Sequence, residues 1–228
     1  MVTRLDRLTV VEAALKLLNE TGLEGLSLRR IATELDVKAP ALYWHFTSKQ
    51  ALLDEMATQI LRGMMRAVEL DDDSEDGPRP EADWREWVAQ AMRALRSTLL
   101  GYRDGAKVFS GTTFTGTDYA APLQSALETL VGQGFTLPSA ARAWATAYSY
   151  TIGFVIEEQA VYPIPGERDP RYDLVERAAR LGERYPAAAE MGEEVLADYE
   201  EGFEAGLSIV IAGIDAKLAA APSPAEPA

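Results

Sequence analysis

Ser27-Leu28-Arg29-Arg30-Ile31-Ala32-Thr33-Glu34-Leu35-Asp36-Val37-Lys38-Ala39-Pro40-Ala41-Leu42-Tyr43-Trp44 carries the strongest structural signal in this chain. Ser27 is a good N-cap, since its hydroxyl accepts from amides one turn on. Leu28, Ile31, Ala32 and Leu35 then recur at helical spacing, so the pattern predicts a helix over 28–35. Asp36-Val37-Lys38 makes a short turn. Pro40 suits the first position of a third, short helix, where no N–H is needed, running through Leu42 and Tyr43 to about Trp44. Upstream, Thr9-Val10-Val11-Glu12 is a capping box, and Gly22 stops the helix it opens, giving a first helix over about 9–21. Two helices joined by a three-residue turn, with a third across them, form a helix-turn-helix whose second element can lie in the major groove of DNA. By pattern alone, an ordinary helical corner is an equal rival.

The charge distribution limits where a polyanion can bind. The chain has 22 Lys+Arg and 36 Asp+Glu, a net charge of −14. Residues 1–50 hold seven bases and six acids, which leaves 15 bases and 30 acids for the rest, a net −15. Any contact with nucleic acid is therefore confined to the first fifty residues. The absence of Cys removes thiolate chemistry and zinc-thiolate sites, and a single His is too few for a multi-His metal centre. The longest apolar run, Leu207 to Ile214, is interrupted by Ser208 and Gly213 and falls well short of the roughly 17–25 residues of a spanning helix. With no apolar leader at the N-terminus, the expected location is cytoplasmic, without membrane contact.

Helical signals continue downstream. Thr47-x-x-Gln50 is a second capping box, opening a helix of about 48–67 through Leu52, Leu53, Met56, Ile60 and Met64. Asp71 to Asp83 carries seven acids, two prolines and a glycine and reads as a flexible acidic loop. Further helices are expected from Asp83 to about Tyr102, up to Val131, from a cap at Ser139 to about Tyr162, over about 173–184, and after Pro186 as one long helix ending near Ala219. That last helix sets Phe203, Leu207, Val210, Ile214 and Leu218 on one stripe. Gly111–Gly116 and Pro163–Pro170 read as loops. No segment has a useful strand period.

Lys38-Ala39-Pro40-Ala41-Leu42-Tyr43-Trp44-His45-Phe46, followed by Lys49 and Ala51-Leu52-Leu53, resembles the signature of the tetracycline repressor (TetR) family of bacterial transcription regulators. So does the lead-in Leu18-Asn19-Glu20-Thr21-Gly22-Leu23-Glu24-Gly25-Leu26-Ser27-Leu28-Arg29. Tyr102-Arg103-Asp104-Gly105-Ala106-Lys107-Val108, Gly111-Thr112, Gly134-Phe135 and Thr151 to Glu158 resemble the regulatory domain of the tetracycline-repressor subgroup. The resemblance implies an all-α fold with a helix-turn-helix DNA-binding domain over 1–48, a connecting helix over 49–67 and a ligand-binding and dimerisation domain over 68–220, and the Pro/Ala composition of 221–228 predicts a disordered tail. It also implies a homodimer that releases a double-stranded DNA operator on binding a small-molecule inducer. A small-molecule binding protein without specific DNA binding is the alternative.

By that resemblance Arg29 matches a position that reaches a guanine edge, where a guanidinium bonds bidentately to O6 and N7; a solvated helix face is the plainer reading. Ala39, Pro40 and Ala41 head the recognition helix with small apolar groups suited to thymine methyls. Close relatives are polar at the positions of Ala39 and Ala41, so a different operator is expected. Tyr43, His45 and Lys49 suit phosphates, Lys38 suits either role, and Trp44 and Phe46 are expected to pack inside.

The family has a metal-binding His where this chain has Phe109. Thr112 and Glu157 match retained pocket positions, whereas drug-contacting polar positions align with Met65 and Ala91, and an aromatic one with Leu95. Met65, Leu95, Phe109, Thr112, Phe114, Tyr148 and Glu157 are the expected ligand-binding residues, for an apolar, antibiotic-like molecule held without metal or cofactor. Coupling to DNA is expected to run along the 48–67 helix, from Met64-Met65 to Lys49, with segment 105–113 as the moving part. No catalytic residue is expected. His45 lies between Trp44 and Phe46, and Glu157 and Glu158 point about 100° apart on a helix. Gly111–Gly116 lacks the Lys-Ser/Thr of a phosphate loop.

Overall fold

The computed structural model describes residues 5–72 and 83–219. Among these the chain is helical, with one isolated β-bridge between Ile164 and Glu167 and no strand. The described residues form two compact units, one drawn from Met1–Gly77 with Ala94–Leu123 and the other from Pro78–Arg93 with Gln124–Ala228.

In the first unit, α1 (Arg7–Gly25), α2 (Leu28–Glu34) and α3 (Ala39–Tyr43) build the N-terminal module, and α4 (Lys49–Asp72) leaves it. The cap of α1 is Asp6, not Thr9: the Asp6 carboxylate accepts from the Thr9 amide at 2.8 Å, which places Thr9 inside the first turn. A carboxylate there also faces the positive end of the helix dipole. Ser27 caps α2 as expected. The cap of α4 is Ser48 rather than Thr47, its hydroxyl accepting from the Ala51 amide at 3.0 Å. Val10, Ala14, Leu18, Ile31, Leu42, Phe46, Leu52 and Met56 are buried and form the module's core. Helix α4 continues to Asp72, so the expected acidic loop starts later than Asp71; its residues 73–82, like the tail 221–228, lie outside the described residues.

Helix α5 (Trp84–Leu100) is followed by a short helix that sequence periodicity did not predict, α6 (Gly105–Phe109). Its N-cap, Asp104, adopts the left-handed conformation at φ 56°, ψ 21°, which Asp tolerates better than most residues. A Cβ on Gly105 would collide with the Leu99 carbonyl oxygen, so the corner needs glycine next. Helix α1 breaks at Gly22, φ 70°, which frees the amide of Leu23, and Asp104 Oδ2 accepts it at 2.9 Å. The Arg103 amide donates to Asn19 Oδ1 at 2.9 Å. The corner after α5 thus clasps the C-terminal end of α1.

Burial works to raise the pKa of Asp104, but the bonds from the Leu23 amide and Lys107 outweigh it and hold the group below its ordinary 3.8. A depressed carboxylate stabilises the fold above its unfolded pKa, and that contribution is lost as pH falls through the folded value. Wild type is therefore expected to lose more stability than Asp104→Asn as pH drops below 3.8, read from urea unfolding midpoints. Parallel acid limbs would remove this role.

In the second unit, α7 (Ala120–Gly132), which begins in the first, leads to α8 (Leu137–Val161), α9 (Leu174–Leu181), α10 (Pro186–Leu196) and α11 (Tyr199–Ile214), which loosens into a π-helical turn at Asp215–Ala219. Helix α8 is capped by Thr136, whose side chain accepts from the Ser139 amide, and not by Ser139. The single long helix expected after Pro186 is two helices, because Asp198 accepts from the amides of Glu200 and Glu201 at 2.9 and 3.0 Å and starts α11 afresh. Helix α8 packs on α11 through rings: Tyr150 stacks on Phe203 at 5.7 Å, and Phe154 sets an edge contact with Phe203 at 5.3 Å and with Tyr199 at 5.6 Å. The Tyr150 hydroxyl donates to the Phe203 carbonyl at 2.9 Å, over Gly206, where any Cβ would collide with it.

Candidate DNA interface and ligand-site residues

Arg29 stands near the start of α2, exposed, and no ion pair among the described residues holds its guanidinium. Its neighbour Arg30 is instead tied back to the Gly25 carbonyl at 3.1 Å. Lys38 occupies the N-cap position of α3 with an exposed side chain that caps nothing, and Pro40 lies in the first turn. Ala39 and Ala41 are partly exposed. Tyr43 is exposed, and His45 is half-buried. Lys49 donates to the Leu23 carbonyl at 3.1 Å, which occupies one of three ammonium protons and leaves the others free for an anion.

Trp44 is 90% exposed, whereas the sequence placed it inside with Phe46, which is fully buried. The reason is local. Leu42 and Phe46, four residues apart, share one face and take the core, and α3 is too short to turn Trp44 inward as well. The open surface of the module thus carries Arg29, Lys38, Tyr43 and Trp44, on the part of the chain that escapes the acidic excess.

Several of the ligand candidates lie in the same unit. Phe109 and Leu95 are buried, and Met65 is half-buried. Phe109 meets Phe114 with ring centres 5.1 Å apart, and Phe114 meets Tyr119 at 5.8 Å. The sequence pattern gave no sign of Tyr119. Thr112 donates its hydroxyl to the Phe109 carbonyl at 2.9 Å, closing the end of α6. Tyr148 and Glu157 belong to the second unit, on α8. Burial raises the Tyr148 phenol above its ordinary pKa, so it remains a neutral donor. Glu157 is exposed and Glu158 is buried.

Glu55, on α4, is a hub that no sequence pattern marked. Its carboxylate accepts from Arg7 at 2.9 Å, Arg62 at 3.1 Å and the Thr115 hydroxyl at 3.0 Å. Burial opposes its charge, and these three bonds overcome that and hold its pKa below the ordinary 4.5. Arg7 also donates to the His45 carbonyl and lies over the Phe46 ring, 4.4 Å from its centre.

Comparison with known proteins agrees with this geometry. The family described as "Bacterial regulatory proteins, tetR family" matches residues 10–56, and "Tetracyclin repressor-like, C-terminal domain" matches residues 77–218. Among curated relatives, the tetracycline repressor protein class A from transposon 1721 of Escherichia coli is 35% identical, covering 93% of this chain and 92% of that protein. A possible TetR family transcriptional regulator from Streptomyces coelicolor A3(2) superposes with a TM-score of 0.78 at 36% identity, over 92% of this chain and 99% of that one. A tetracycline repressor variant from Acinetobacter baumannii AYE, in complex with minocycline, gives 0.68 at 30% identity, over 93% and 98%. With both domains matched and about a third of the residues shared over nearly the whole length, the chain belongs to the tetracycline repressor family of DNA-binding, ligand-responsive bacterial regulators.

Proposed function

We propose that this regulator binds a palindromic operator as a homodimer in the cytoplasm and releases it on taking up an apolar, antibiotic-like molecule without metal. It acts by binding and not by catalysis. The observation that carries the DNA half is the exposed surface of α2 and α3, where Arg29 is unpaired among the described residues, on a segment of net +1 in a chain of net −14. One helix-turn-helix reads few base pairs, so two copies supply both affinity and the symmetry of the site, with half-sites about one helical turn (roughly 34 Å) or a multiple apart. The ligand half is supported by the aromatic run Phe109, Phe114 and Tyr119, which offers π-faces and no charged group.

Arg29→Ala is expected to cost about 1–3 kcal/mol of operator binding and relax specificity at one base, because a lost bidentate contact is a lost reading. Lys49→Ala should weaken binding to all sequences alike and flatten the dependence on salt. Fluorescence titration with the DNA upstream of the gene and with random duplex checks both. Equal affinity for the two DNAs at physiological salt would abandon repression there and favour a ligand-binding protein without specific DNA contact.

A further inference from the structure

We propose that Glu55 is a positioning residue that relays the state of the 111–116 loop to the recognition helix α3, through Thr115 on one side and Arg7 on the other. This rests on the reading above of α3 as the DNA-reading helix and of the Phe109–Tyr119 region as ligand wall.

The loop is built to move as a piece. Gly111 and Gly116 bracket it, both in the left-handed region at φ 70° and 78°, where other residues are strained. Between them Phe114 presents its ring to Phe109 and Tyr119, and the next residue, Thr115, faces α4. The Thr115 amide donates to Thr58 Oγ1 at 2.8 Å and its hydroxyl to Glu55 Oε2 at 3.0 Å. A molecule that displaces the Phe114 ring therefore displaces the neighbouring hydroxyl from Glu55.

Glu55 Oε2 is shared. The oxygen that accepts from Thr115 also accepts from Arg7 at 2.9 Å, while Oε1 holds Arg62, which is itself held by Asp118 just past the loop at 2.6 Å. Charge-assisted bonds of this kind are directional, so loss of the threonine partner lets the carboxylate turn toward Arg62 and slackens Arg7. Arg7 is the link to DNA: the same guanidinium donates to the His45 carbonyl and covers the Phe46 ring, at the C-terminal end of α3. The chain of contacts joins the loop to the recognition helix by side chains alone, in addition to any movement of α4 as a rod.

The test uses the full-length protein, free of ligand, and a duplex selected by the wild type from a random library. Thr115→Val keeps the shape and deletes the hydroxyl. It is expected to raise hydrogen exchange at the His45 and Phe46 amides several-fold, and to weaken binding of the selected duplex by about three- to tenfold, a typical size for coupled contacts. Thr115→Ser should restore both. In a Glu55→Gln background, Thr115→Val should add less than about a factor of two, because the relay is already cut. An unchanged exchange rate at His45 and Phe46, or the same effect of Thr115→Val in both backgrounds, overturns the relay. The exchange measurement needs no DNA, so a wild type that selects no sequence would sink the DNA reading while the relay is judged separately.

Discussion

Calorimetry with magnesium-tetracycline is expected to give no magnesium-dependent binding in the micromolar range. Phe109 stands where the resemblance places the metal-binding imidazole, and it is buried against Phe114 with a hydrocarbon ring that offers the ion nothing. By the same resemblance Met65 and Ala91 stand where polar groups meet the drug, and neither side chain can supply a hydrogen bond there. Burying polar groups without partners costs about 1–3 kcal/mol each, and two or three such losses at about 2 kcal/mol each amount to a factor on the order of a thousand or more. A flat, apolar aromatic compound should bind in its place without magnesium and release DNA. Micromolar, magnesium-dependent uptake of the drug would overturn the assignment of Phe109, Met65 and Leu95 as an apolar wall.

The second large effect lies in the ring cluster between α8 and α11, where neighbouring substitutions should have different consequences. Phe203 is fully buried and touches Tyr150 and Phe154. Phe203→Ala removes a whole ring from a closed core and is expected to cost about 3–5 kcal/mol. Tyr199, beside it, is 7% exposed and its hydroxyl finds no hydrogen-bond partner among the described residues, while burial pushes the phenol up to about 12. Tyr199→Phe relieves that unpaired group and should be neutral or stabilising by about 1 kcal/mol. Urea unfolding at several protein concentrations reads both, since a dimer ties stability to concentration. A marked loss on Tyr199→Phe would mean that a second subunit or a ligand supplies the missing partner.

Most of the helices could be read from periodicity and glycine stops, because both are local: Gly22 ends the regular part of α1, and Ser27 starts α2, where the residues say they should. The caps were harder to place. In α1 and α8 the expected cap, Thr9 or Ser139, proved to be the residue whose amide the true cap accepts. The true caps Asp6 and Thr136 have the same chemistry three residues earlier, so spacing cannot separate the two registers. The break at Asp198 was lost for a similar reason, since the apolar stripe continues across it. The exposure of Trp44 follows from the shortness of α3, and the Glu55 hub from contacts 7, 48 and 60 residues apart in sequence. Neither is periodic, so neither shows in a pattern. The DNA-facing candidates lie close together along the chain, so their grouping is legible from the residues alone. The ligand candidates are spread over α4 to α8, and only the fold sorts them into the two units.

The outward position of Trp44 equips the protein with an optical gauge of its own. Of the four tryptophans, at 44, 84, 87 and 144, Trp84 is buried against Phe135, and Trp87 and Trp144 lie together 5.6 Å apart. Trp44 is the nearly fully hydrated one, so it contributes the reddest emission and the greatest access to a dissolved quencher such as iodide. Phosphates and bases closing over α3 would shield that ring while leaving the other three as an internal reference. Occupancy of the operator, and its loss when a candidate inducer is added, can thus be followed in unlabelled protein by colour and quenching alone.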